Sequence, residues 1–145
     1  MMELPEYVTK AEVKRVCKEL GFRDWSGLKE ATVTDEEASV LLRAVNSTAM
    51  NIDVDDFRQG LEVELEHGTR YQEANVTNNH PVLTGKIVLA HLKETLDYYR
   101  RLDIAELEGD LLKAIIAKDP AKIASKYKKL SEAQVQLSKA VSAQL

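Results

Sequence analysis

The stretch Val54-Asp-Asp-Phe57-Arg-Gln-Gly60-Leu61-Glu-Val63-Glu64-Leu65-Glu-His67 carries the reading of the fold. Val54, Phe57, Leu61 and Leu65 recur three and four residues apart. That spacing puts them on one face of a helix and buries that face as a core stripe. Asp53 or Asp55 supplies an N-cap. Gly68 is expected to end the helix just after His67.

The same grammar extends in both directions. Thr9-Lys-Ala-Glu12 reads as a capping box, followed by Val13, Val16, Cys17 and Leu20 at helical spacing and by Gly21 as a stop. Thr34-Asp-Glu-Glu37 opens a second helix with Ala38, Leu41, Leu42 and Val45 on its apolar face. Trp25, in the connection between them, is expected to pack back on the core. Gly68 to Leu83 is polar and Asn-rich, and reads as a long irregular loop with a turn at Asn78-Asn79-His80-Pro81. A fourth helix is expected from Thr84 or Gly85 to about Leu102, with Ile87, Val88, Tyr98 and Leu102 on its apolar face and His91 and Thr95 between them. A fifth carries Ile104, Leu107, Leu111 and Ile115. Asp119-Pro120 then caps and starts a last segment. There Ile123, Tyr127, Leu130, Gln134, Leu137 and Val141 form a heptad seam with one polar position. Such a seam needs a partner surface, so the segment is expected to dock on the bundle or to form a homodimer with another copy. The expected fold is all-α: a bundle of four or five helices over residues 1–118, with a C-terminal helical extension over 119–145. No segment has the period of a strand, and none repeats.

Composition narrows the function classes. The 145 residues are 44% hydrophobic and 30% charged, with six glycines and three prolines, as expected of a helical globular domain with a real core. A formal net charge of −4 argues against nonspecific binding to nucleic acid or to a membrane surface. Cys17 is the only cysteine, so no intrachain disulfide forms. Met-Met-Glu-Leu-Pro-Glu has no basic-then-apolar leader, and no apolar run approaches the length of a membrane span. The expected location is the cytoplasm, where Asn75-Val-Thr77 is a chance match to the glycosylation pattern.

The chemistry-bearing residues fall into two short words, Glu64-x-x-His67 and His91-x-x-Glu94. On a helix, side chains three apart share a face, so each pair can reach a common point. His91 falls within ~30° of the middle of its helix's apolar stripe, where a polar ring needs a partner. Two imidazoles and two carboxylates suit a divalent transition metal (zinc, iron, manganese or nickel), with His80 as a further ligand from the loop. The same four side chains also suit a metal-free polar network closed by Tyr98 or Tyr99. A His–Glu pair could also do acid–base chemistry, but no nucleophile accompanies it, and no glycine-rich phosphate loop is present. Asp53, Asp55 and Asp56 read as helix-start acids rather than a calcium loop. Lys118, Lys122, Lys126, Lys128 and Lys129 read as a solvated face.

Gly60, Val63, Glu64, Glu66 and His67 match the recurring Gly-x-x-Val-Glu-x-Glu-His of a family of small uncharacterised prokaryotic proteins classed as a domain of unknown function. Ala90, His91, Leu92, Glu94, Tyr98 and Tyr99 resemble its second word, Ala-x-His-Leu-x-Glu-x-x-x-Tyr-Tyr, with His91 directly after Ala90 instead of one residue later. The resemblance covers roughly residues 50 to 103. It implies no activity, and adds that these Glu and His positions belong to the family's pattern. The expectation is a small metal-binding protein. The alternative is a non-catalytic interaction module whose Glu/His cluster is structural.

Overall fold

The computed structural model describes residues 2–145. Six α-helices follow one another: α1 (Lys10–Leu20), α2 (Asp35–Val45), α3 (Val54–Arg70), α4 (Pro81–Glu94), α5 (Tyr98–Ile116) and α6 (Pro120–Ser142). Short 3₁₀ turns at Trp25–Gly27 and Gln72–Ala74 interrupt the connections, and no strand occurs among the described residues. The protein is all-α. It divides into two compact units, one ending at Lys93 and the other spanning Glu94–Leu145.

In the first unit the local signals place the helices. The Thr9 hydroxyl accepts from the Glu12 amide at 3.1 Å. At the other end of α1, Gly21 takes the left-handed conformation (φ 74°), and its amide donates to the carbonyl oxygens of Cys17 and Lys18. Thr34 and Glu37 form the full reciprocal capping box, each side chain accepting from the other's amide at 3.1 Å. Asp53 caps α3 by accepting from the amides of Asp55 and Asp56. Val13 and Cys17 of α1, Leu41 of α2, Phe57 and Leu61 of α3 and Val88 of α4 are buried as the core, with Trp25 fully enclosed among them.

Three boundaries differ from the sequence reading. Helix α3 does not stop at Gly68; it runs on to Arg70. Gly68 is buried and helical, and a Cβ there would lie 2.7–2.8 Å from side-chain atoms of Asn75 and Asn79. The glycine therefore lets the Asn-rich connection close over the helix instead of ending it. Helix α4 begins at Pro81, not Thr84 or Gly85. Proline suits the first helical position, because it has no amide hydrogen to leave unpaired. Gly85 lies within α4, where its missing side chain leaves room for Leu41 and Phe57. The connection from Gly68 to Leu83 is consequently shorter than expected and built of turns, with Asn79 and His80 buried.

The expected continuous helix to Leu102 breaks at Thr95–Asp97. The Thr95 hydroxyl donates to Asp97 at 2.5 Å, and the buried Asp97 carboxylate also accepts from Arg101 at 2.8 and 3.0 Å. These side-chain bonds compete with helical pairing at a junction that apolar periodicity does not reveal. The Arg101 guanidinium holds the Asp97 carboxyl below the usual carboxylate range, against the opposing effect of burial.

In the second unit α5 and α6 pack as a hairpin. The turn at Ala117-Lys118-Asp119 places Lys118 in the left-handed region (φ 52°), and Asp119 caps α6 by accepting from the Lys122 amide. Lys126 of α6 donates to Asp110 of α5 at 2.9 Å, which sets the register of the pair. The seam expected on α6 is divided: Leu130 is buried and Ile123, Leu137 and Val141 are half-buried, while Tyr127 and Gln134 face solvent.

Candidate functional site

Helix α3 presents Glu64 one turn before the Gly68 contact, and α4 presents His91. Nδ1 of His91 lies 3.0 Å from Oε1 of Glu64, with the two side chains 29% and 15% exposed. A carboxylate can only accept, so Nδ1 carries the hydrogen and the imidazole is fixed in orientation. One Glu/His pair predicted from the two sequence words is thus brought together across two helices.

His67 and Glu94 are placed differently. Each is exposed, His67 near the end of α3 and Glu94 as the last residue of α4. Helical spacing gave each the right direction relative to its partner word, but exposure depends on what packs alongside. Among the described residues, no group of three or more His, Cys, Asp or Glu side chains is gathered closely enough to hold a metal ion.

His80 has a local role that sequence reasoning missed. Its Nδ1 accepts from the Leu83 amide at 3.4 Å and its carbonyl accepts from the Thr84 amide at 3.0 Å, so it caps α4. Burial pushes its imidazole below the ordinary histidine value, an effect the nearby Glu12 carboxylate partly offsets. The signal was in the sequence: a polar ring directly before a proline at a helix start.

Glu37 is the second missed residue. Beyond its capping box, its buried carboxylate accepts from Arg23 at 3.0 and 3.2 Å and from the Trp25 indole at 3.2 Å. Burial alone would raise its pKa. The bonds from Arg23, the Thr34 amide and Trp25 outweigh that and lower it. One carboxylate therefore ties Trp25, the connection after α1 and the start of α2 together. Cys17 is core: its sulfur accepts from the Trp25 amide at 3.5 Å, and burial raises its thiol pKa.

The chain belongs to the family described as "Protein of unknown function (DUF5661)", whose profile matches residues 13–108. That span includes α1 to α4, with Glu64, His67, His91 and Glu94, and ends within α5, so α6 lies outside it. No curated protein and no solved structure matches the chain. No helix among the described residues is long and apolar enough to cross a membrane.

Proposed function

We propose that this protein is a non-catalytic helical interaction module. In this reading the Glu64–His91 pair is a structural polar contact and the α5–α6 hairpin joins two copies of the chain. The observation that carries it is the apolar surface of the hairpin. Leu112, Ile115 and Ile116 on α5 and Tyr127 and Val135 on α6 are each at least half exposed, with Ile116 at 71% and Tyr127 at 65%. Five large apolar side chains left exposed on one helical hairpin are what an association surface presents.

A second copy is the occupant that fits the charge pattern. Helix α6 carries five lysines and one glutamate, whereas α5 carries four acids against three basic residues. An antiparallel two-fold pairing of hairpins sets the acidic helix of one copy beside the basic helix of the other, as a self-complementary interface requires. Two such hairpins make a four-helix arrangement, which buries far more apolar area than one alone.

The competing reading is a divalent transition metal held by Glu64, His67, His91 and Glu94, for which the Glu64–His91 contact supplies two donors. Ile116→Glu combined with Tyr127→Glu separates the readings. Association should be lost while helix content and any metal uptake stay as in the wild type. A double variant that associates as tightly as the wild type would refute the hairpin interface.

A further inference from the structure

The first unit contains a cavity of about 340 Å³, a volume suited to a small molecule, and the Glu/His pair is not part of it. The end of α3, the 3₁₀ turn after it, the start of α1 and the connection after Trp25 surround it. Its lining is unusual for a chain of net charge −4: it includes two lysines, Lys10 and Lys29, and no carboxylate. Four carboxamides, from Gln72, Asn75, Asn78 and Asn79, and the hydroxyls of Ser26 and Thr69 complete the polar part. Among the described residues, neither lysine forms an ion pair, and the Gln72 amide makes no hydrogen bond.

The amides are held in place by the fold. Asn78 and Asn79 both adopt the left-handed backbone conformation, with φ of 49° and 61°. The Asn78 amide donates to the Val8 carbonyl at 2.7 Å and to Glu6 at 2.6 Å. The Asn79 amide donates to the Trp25 carbonyl at 3.1 Å, and the Asn79 backbone amide donates to the Asn75 side chain at 3.1 Å. Two consecutive non-glycine residues in a sparsely populated conformation, each pinned by its own side chain, are a feature that functional sites concentrate. Gly68 below them is required, because a Cβ would strike Asn75 and Asn79.

We infer that this cavity binds a small polyhydroxylated anion. The two lysines neutralise a compact anionic head, and the Gln72 amide, the Asn75 amide nitrogen and the carboxamide oxygens of Asn78 and Asn79 pair with hydroxyl groups. The head is a phosphate or a carboxylate, and the probes distinguish the two.

The test is titration of the whole ¹⁵N-labelled protein with glucose 6-phosphate, gluconate, glucose and inorganic phosphate, followed by amide shifts. Glucose 6-phosphate or gluconate should bind with a Kd below millimolar and shift the amides of Gly68, Asn75, Asn78 and Asn79. Whichever of the two binds more tightly identifies the head. Glucose and inorganic phosphate should bind at least tenfold more weakly. Replacing both exposed lysines, Lys10→Ala with Lys29→Ala, should weaken binding at least tenfold without altering the spectrum of the free protein. No saturable shift with either anion, shifts mapping elsewhere, equal binding of inorganic phosphate, or undiminished binding by the double variant would each overturn the proposal.

Discussion

The imidazole of His91 on α4 meets the carboxylate of Glu64 on α3 at 3.0 Å, so the consecutive helices α3 and α4 are joined by a polar side-chain contact. A half-buried pair of this kind adds specificity more than stability, since each partner gives up water to form it. His91→Leu keeps the bulk and removes the bond. We expect a loss of about 1 kcal/mol in urea unfolding, from stranding the Glu64 carboxylate beside an apolar group. Chelator should leave the melting temperature of the wild type unchanged. A melting temperature that rises with zinc, iron, manganese or nickel and falls with chelator would establish the metal reading instead, because a bound ion is linked to stability.

Stability should fall on acidification in two stages. The folded pKa of His80 lies below its unfolded value, so the unfolded chain takes up the proton first. Stability is therefore full above about pH 6.5 and declines as pH falls below it. Protonation also removes the Nδ1 acceptor used by the Leu83 amide. His80→Asn retains a capping acceptor and should abolish this first stage. Glu37 and Asp97 also have lowered pKa values, so their contributions persist above the ordinary carboxylate range and are lost only as pH falls through the folded values, below about pH 4. Denaturant midpoints of wild type and His80→Asn between pH 3 and 8 check both stages.

Glu37→Gln should be the most damaging single conservative change in the first unit. It replaces an acceptor of four hydrogen bonds with an amide whose NH₂ faces donors, and it leaves Arg23 without its anion. A loss of about 2 kcal/mol is expected, discounted because Arg23 is partly exposed. Unfolding followed by Trp25 fluorescence reads it directly.

Gly68→Ala tests why the helix passes through a glycine. On propensity alone, alanine would stabilise α3 by about 1 kcal/mol. Here its Cβ would displace Asn75 and Asn79, which are pinned to each other and to Trp25. A net loss of about 1–2 kcal/mol is expected. A gain in melting temperature would mean that the Asn turn yields freely.

Much of the fold was legible because its signals are local. Thr9, Thr34, Asp53 and Asp119 cap the helices they were expected to cap, and Gly21 ends α1. The errors arose where tertiary contacts overrode local preference. Gly68 has the residue type and position of a helix stop, but in the fold it accommodates the Asn turn. The apolar rhythm from Ile87 to Leu102 hid the Thr95–Asp97–Arg101 bonds that break the helix. At the candidate site, spacing gave Glu64 and His91 the directions that let them meet. It could not show that His67 and Glu94 would be exposed, since that depends on neighbouring elements. The Glu37 hub was invisible for the same reason: the sequence showed its capping role, and only the fold brings Arg23 and Trp25 to it.

The most direct test of the account is the molar mass of the full-length wild-type protein, measured by light scattering across a range of concentrations and at low and high salt. The hairpin interface predicts a species of about twice 16.3 kDa that weakens as salt screens the charge pairing of α5 with α6. A mass of 16.3 kDa at every concentration and salt would contradict it.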